Sequence, residues 1–156
     1  MPGTSPHSTG RTPPELARLK AILENDLTTP GEAERFVKET GVDLLAPAVG
    51  NVHGKFENAP EPALNILRIA DIRHVVHAPL VLHGASGNTE EEIEHAIRAG
   101  ISIVHISTEL RVAWRKGMEE AFKKNPDEVA PYKLTPLALE DMERVVERWL
   151  KLFNGM

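Results

Sequence analysis

The feature that most constrains the fold of this chain is a short apolar run that ends at a histidine and a glycine-rich turn. Residues 78–82 are Ala-Pro-Leu-Val-Leu, and His83 follows with Gly-Ala-Ser-Gly behind it. Such a run predicts a short buried β-strand. The glycines let backbone N–H groups approach an anion, and Thr89 with the acidic residues after it predicts a helix N-terminus. The pattern favours a metal and a phosphorylated substrate, although a buried histidine bonded to a carbonyl would explain it as well.

Two further apolar runs end in a similar way. The run at residues 42–49 is followed by His53, and the run at 101–106 contains His105 near its end. Three strands that each close on a histidine and small polar residues place those groups along one rim only if the strands are parallel. Parallel strands need intervening helices, so the sequence predicts an α/β fold.

The predicted helices lie between and after these strands. Thr29 and Glu32 flank Pro30 in the pattern of a capping box, so a helix starts there and is expected to end at Gly41. Apolar residues at helical spacing predict the other helices. These span residues 15–23, 64–72, 89–99, 108–124 and 137–153.

Composition sets further bounds. With 156 residues and 41% hydrophobic content, the chain can bury the core of one domain. A complete (β/α)₈ barrel needs about 250 residues, so only a partial barrel fits. Residues 1–14 are rich in proline, glycine, serine and threonine. We therefore expect a disordered tail at 1–14 and a folded domain at 15–156.

Charge and cysteine content narrow the function classes. A net charge of −5 argues against nucleic acid as a partner. The chain has no cysteine, which excludes disulfides and thiolate metal sites and fits a cytoplasmic protein. No apolar stretch approaches the roughly 20 residues that a membrane-spanning helix needs, so no membrane association is expected.

The segments GVDLLAPAVGNVHG, PLVLHGASG, AGISIVHISTELR and NPDEVAPYKLTP together resemble, in order and spacing, the C-terminal part of class II fructose-bisphosphate aldolases. These enzymes are metal-dependent ketose-bisphosphate aldolases. The resemblance runs from about Leu27 to Phe153, under half of the family's usual length. It implies roughly the last three strand-helix units of a (β/α)₈ TIM barrel. It also implies reversible, zinc-dependent cleavage of fructose 1,6-bisphosphate to dihydroxyacetone phosphate and glyceraldehyde 3-phosphate, in glycolysis and gluconeogenesis.

The resemblance also assigns metal ligands. His53 and His83 match two of the family's three histidine ligands for Zn²⁺ or another divalent metal. The third ligand and the proton-transferring aspartate come from an Asp-His-Gly segment in the family's N-terminal half. This chain has no Asp-His pair, so it carries no residue matching the catalytic aspartate. We therefore expect the isolated chain to be inactive.

Substrate contacts follow from the same resemblance. Gly84 and Ser86 match residues that contact the substrate phosphate, and Gly54 matches the rim and a monovalent-cation site. In the next strand-end loop, His105 stands where the family has a substrate-contacting asparagine. Ser107 and Thr108 lie in the same loop and are expected to contact the phosphate. Ser107 stands where the family has asparagine or aspartate next to the phosphate. Ala85 replaces a usual glycine.

Two classes of function stay open at this point. One is an aldolase, either a fragment of a longer product or a half-barrel completed by another chain. The other is a non-catalytic partial barrel that binds phosphate or metal. Within the first class, tagatose bisphosphate is an alternative substrate to fructose bisphosphate. The expected partners are a phosphorylated ketose or dihydroxyacetone phosphate, and either further copies of the chain or a complementing N-terminal half.

Overall fold

A computed structural model describes residues 26–51 and 62–155 of the protein. The described residues form two compact units, one that ends at His105 and one that begins at Ile106. The predicted tail at 1–14 and the predicted helix at 15–23 lie outside the described residues. So do two predicted site residues, His53 and Gly54.

The first unit opens with helix α1, Pro30–Thr40, where the sequence predicted it. The Thr29 hydroxyl oxygen accepts a hydrogen bond from the Glu32 N–H at 3.3 Å, and the Thr29 N–H donates to Glu32 Oε2 at 2.9 Å. These reciprocal bonds form the expected capping box, and the Thr29 donors lower the pKa of the Glu32 carboxyl below its usual value. Gly41 ends the helix with φ of 66°, a left-handed conformation that glycine adopts readily.

Two helices and two strands alternate in the rest of this unit. They are α2, Ile66–Val75; β1, Leu80–Leu82; α3, Glu90–Ala99; and β2, Ile101–Val104. Strand β1 pairs in parallel with β2, with Leu80 opposite Ile101. On its other edge, β1 meets residues 42–49 through one parallel bridge between Leu45 and Leu80. Every residue of β1 is buried, as expected for a central strand covered on both faces.

The prediction of a regular strand at residues 42–49 is wrong. Within it, only the bridge at Leu45 follows strand pairing: its N–H donates to the Pro79 carbonyl at 3.1 Å, and its carbonyl accepts from Val81 at 2.8 Å. Pro47 has no N–H to offer. The Ala48 N–H donates to the Thr28 hydroxyl and its carbonyl accepts from the Thr28 N–H, both at 2.9 Å. The segment therefore lies in the predicted order beside β1 without a ladder.

The second unit is a pair of helices, α4 (Thr108–Lys124) and α5 (Pro131–Asn154). They pack closely at Gly117, where an added Cβ would lie 2.7 Å from the backbone nitrogen of Ala138. Helix α4 has its predicted bounds. Helix α5 begins at Pro131 rather than at the predicted Leu137, and Pro136 lies inside it.

Side chains of the two helices also form a polar link. Glu109 accepts a hydrogen bond from the Trp149 ring nitrogen at 3.1 Å and forms an ion pair with Arg148. In the connecting loop, the Lys133 ammonium and backbone N–H donors lower the pKa of the Glu128 carboxyl. Within the described ranges, no helix combines the length and apolar character needed to cross a membrane.

Candidate functional site

The ends of the paired strands bring two histidines together. His83 directly follows β1, and His105 directly follows β2. The His105 N–H donates to the Leu82 carbonyl at 2.9 Å, which extends the parallel pairing beyond the last strand residue. The Nδ1 atoms of the two rings lie 3.3 Å apart, and the rings meet edge to face at 82° with centroids 4.5 Å apart. His83 is half-buried and His105 is exposed, so the pair is accessible from solvent.

Asn51 fixes this strand end from the other side. Its side-chain nitrogen donates to the His83 carbonyl at 3.0 Å, and its side-chain oxygen accepts from the Val49 N–H at 2.9 Å. The amide therefore joins the end of the 42–49 segment to the end of β1. Sequence analysis assigned no role to Asn51, although its position in Gly-Asn-Val-His-Gly, directly after an apolar run, was an available signal.

The turn after His83 is tight, and two of its backbone N–H groups form hydrogen bonds within the turn. Gly84 has φ of 67°, which favours glycine at this position. The Ala85 carbonyl accepts from the Gly87 N–H at 2.8 Å and the Asn88 N–H at 3.2 Å. The N–H groups of Gly87 and Asn88 are therefore used within the turn. An anion would bind to the N–H groups nearer the strand. Ala85 itself has negative φ, so its presence where the family has glycine costs no backbone strain.

Ser86 is 3% exposed, and it is the only buried polar residue of the described chain. Burial holds it in the turn between β1 and α3. Thr89 and Glu92 then cap α3 with a second capping box, and the first turn of that helix is acidic. This N-terminus is therefore satisfied by its own side chains and repels an anion. Anion binding near this turn depends on the loop rather than on the helix.

Ser107 and Thr108, the other predicted phosphate residues, belong to the second unit. Ser107 is the N-cap of α4 and makes no side-chain capping bond. The Thr108 hydroxyl accepts from the Arg111 side chain at 3.3 Å. In contrast to α3, this helix start carries no capping box, and its phosphate role stays a prediction.

The donor types of the strand-end site suit a divalent metal, since neutral imidazole is a common zinc ligand. The described ranges contain no group of three or more histidine, aspartate or glutamate side chains placed to hold a metal ion. Two imidazoles, those of His83 and His105, are the donors that this part of the chain brings together. The ligand role of His53 stays a prediction, because that residue lies outside the description.

Comparison with known proteins gives the context for this site. The family model described as fructose-bisphosphate aldolase class-II matches residues 12–156. A 6-phospho-5-dehydro-2-deoxy-D-gluconate aldolase from Bacillus licheniformis is 41% identical over 125 residues, which are 80% of this chain and 42% of that protein.

Solved structures show the same similarity. The YdjI aldolase from Escherichia coli K12 aligns with a TM-score of 0.63 and 38% identity, covering 81% of this chain and 44% of that one. A putative fructose-1,6-biphosphate aldolase from Coccidioides immitis aligns with a TM-score of 0.70 and 31% identity, covering 82% and 43%. The chain thus spans less than half the length of each of these three relatives.

Proposed function

Because this chain belongs to the class-II fructose-bisphosphate aldolase family, we propose that it forms the metal-binding and phosphate-binding part of an aldolase active site. The observation that carries the proposal is the pair of histidines at adjacent parallel strand ends, directly before a glycine-containing turn. Ligand sites of barrel enzymes lie at this end of the strands. The α/β arrangement with its parallel sheet supports a partial TIM barrel, roughly the last three strand-helix units.

The chemistry requires a charge stabiliser and a proton-transferring group. Aldol cleavage leaves an enolate, whose charge a bound divalent metal stabilises by several kcal/mol. His53 and His83 would hold Zn²⁺ or a similar ion. The proton of the substrate hydroxyl requires a base, and these 156 residues contain no Asp-His pair. We therefore place the base in the other half of the barrel, whether that half lies on the same polypeptide or on another.

The turn after β1 is the proposed phosphate site. Gly84 and Ser86 sit on the strand side of this turn, where the N–H groups are not those used by the turn itself. By resemblance, Gly54 belongs to the same rim and to a monovalent-cation site. By the same resemblance, His105 contacts the substrate. Ser107 and Thr108 are proposed from resemblance to contact phosphate as well.

The first candidate substrate is fructose 1,6-bisphosphate, cleaved reversibly to dihydroxyacetone phosphate and glyceraldehyde 3-phosphate. The 41% identity to the Bacillus licheniformis enzyme favours a second candidate, 6-phospho-5-dehydro-2-deoxygluconate. Tagatose bisphosphate is a third. All three carry a phosphate and a ketone, so the phosphate turn serves each of them. Contacts at the C4 hydroxyl must discriminate between fructose and tagatose bisphosphates, which are C4 epimers, and contacts at the far end of the substrate must discriminate the phosphogluconate derivative from both.

Complementation tests this proposal. The purified chain is assayed alone and after mixing with a separately expressed N-terminal half of a related aldolase, with release of dihydroxyacetone phosphate as the readout. We expect no cleavage by the chain alone, and cleavage by the complex that is lost when a chelator removes the metal. The substrate with the highest kcat/KM identifies the reaction.

Two outcomes would count against the proposal. Metal-dependent cleavage by the chain alone would mean that the base lies within these residues. An intact complex that binds phosphate and metal but cleaves none of the three substrates would favour the alternative, a non-catalytic binding module. Gel filtration establishes whether the complex has formed, and also whether the chain alone is the homo-oligomer we propose. A cytoplasmic location is part of the same proposal.

A further inference from the structure

We propose that His105 is itself a metal ligand, which binds the same ion as His83 through Nδ1. The resemblance gave His105 a different role, that of a substrate contact in place of an asparagine. The inference rests on the proposed function through one shared ligand, His83. It adds a donor that the family assignment does not include.

The distance between the two rings carries the inference. Zinc–nitrogen bonds of about 2.0–2.1 Å in a tetrahedral arrangement place two ligand nitrogens about 3.3–3.4 Å apart. The observed Nδ1–Nδ1 distance of 3.3 Å falls in that range. When no ion is bound, a hydrogen bond between one protonated Nδ1 and the other accounts for the same distance, and a shared ion would take the place of that proton. The edge-to-face angle of 82° lets both rings approach one ion without stacking.

Backbone contacts fix the two strand-end positions from which the rings extend, before any ion binds. The His105 N–H is bonded to the Leu82 carbonyl at 2.9 Å, and the His83 carbonyl accepts from Asn51 at 3.0 Å. Ligands fixed by neighbouring hydrogen bonds lose little freedom on binding a metal. Because His105 is exposed, an ion at this pair would be reached from solvent.

Metal titration of the chain tests the pair. Zinc affinity is measured by calorimetry, and the coordination of Co²⁺ by its visible absorption, for the original chain and for His83→Ala, His105→Ala and His95→Ala. His95 is exposed on α3 and serves as the matched control. We expect the first two substitutions each to raise Kd by about tenfold or more, and the control to leave it unchanged. Both should also weaken the tetrahedral Co²⁺ absorption.

The outcomes separate this inference from the proposed function. If His83→Ala weakens zinc binding and His105→Ala does not, the family ligand stands and the inference is overturned. If neither substitution matters, both assignments are wrong. NMR of the imidazole nitrogens in the unsubstituted chain guards against misfolded variants. Zinc should shift the Nδ1 signals of both rings with the same stoichiometry, and an unmoved His105 signal at saturation would overturn the inference.

Discussion

The first unit buries most of its large aliphatic side chains, with Leu44 and Leu67 as exposed exceptions, whereas the second unit leaves many of its large apolar side chains exposed. Ile69, Leu80 and Ile93 are all 0% exposed. In the helical pair, by contrast, Phe122 and Leu139 are more than half exposed. The unit that carries the two histidines therefore has its own core, and its site geometry rests on that core. The helical pair has an apolar surface that its own two helices do not cover.

A matched pair of leucine substitutions tests the difference in burial between the two units. Leu80→Ala removes a fully buried side chain from the central strand, and we expect a loss of about 2–5 kcal/mol in the free energy of unfolding. Leu139→Ala removes the same atoms from a site that is 53% exposed, and we expect a loss of about 0.5 kcal/mol or less. Urea unfolding followed by circular dichroism measures both. Equal losses would contradict the comparison.

A second matched pair of substitutions tests how closely the two helices of the second unit pack. Gly117→Ala would push a methyl group against Ala138, so we expect a loss of about 1–3 kcal/mol despite the better helix propensity of alanine. Gly31→Ala is the matched control in α1, because an added Cβ there meets no atom within 4 Å. Thermal unfolding should show a lower Tm for the first variant only. An unchanged Gly117→Ala variant would mean that the two helices separate at little cost.

Asn51 gives a test of the first unit at its strand ends. Asn51→Ala removes the hydrogen bonds that its amide makes to the Val49 N–H and the His83 carbonyl, and we expect a loss of about 1–3 kcal/mol together with weaker zinc binding. Asn51→Asp keeps the acceptor for Val49 but removes the donor to His83. It should therefore recover part of the stability and little of the zinc affinity. If both variants bind zinc as the original chain does, Asn51 does not position the site.

The smallest expected effect is on the stability of the fold at low pH. Hydrogen bonds from Thr29 lower the pKa of Glu32, so the stabilisation is present above the ordinary carboxyl pKa of 4.5 and is lost as pH falls through the lower folded value. Thr29→Ala removes the hydroxyl donor, which has the larger effect, and keeps the backbone N–H, so it should partly flatten the fall of Tm with acid. Glu128→Gln should do the same in the second unit, where Lys133 lowers the pKa of Glu128. Unchanged acid profiles for both would show that neither carboxylate matters.

Local patterns predicted local structure well. The capping box at Thr29 forms as expected, and Thr89 caps the helix predicted to start there, because each cap depends on residues only three positions apart. The parallel order of the three apolar runs also followed from the sequence, since each run ends in the same kind of turn. The proximity of His83 and His105 is a direct result of that parallel register.

Longer-range competition explains what the sequence did not predict. The 42–49 segment lacks a ladder because Pro47 and the bonds to Thr28 divert its backbone groups, and no local pattern signals a partner that far away. Asn51 was missed for the same reason, since its partner His83 lies 32 positions on. Helix α5 extends through Pro136 and begins at Pro131, before its predicted start at residue 137.

Exposure in the helical pair was harder still to predict. Within the predicted helix at 137–153, Trp149 is buried, whereas Val146 and Leu150 are exposed. In the predicted helix at 108–124, Trp114 is 46% exposed. Periodicity identifies an apolar face, but it does not say how much of that face a single neighbouring helix covers.

The most direct test of the central claim is the rate of substrate cleavage by the complemented complex with one histidine changed. The complex is formed with the original chain, with His83→Ala and with His95→Ala, and gel filtration confirms that all three assemble. Since metal stabilisation and proton transfer each contribute factors of hundreds, we predict that His83→Ala lowers kcat/KM by about a hundredfold or more. The His95→Ala complex should match the original. Equal rates for all three complexes would show that the strand-end histidine has no part in catalysis.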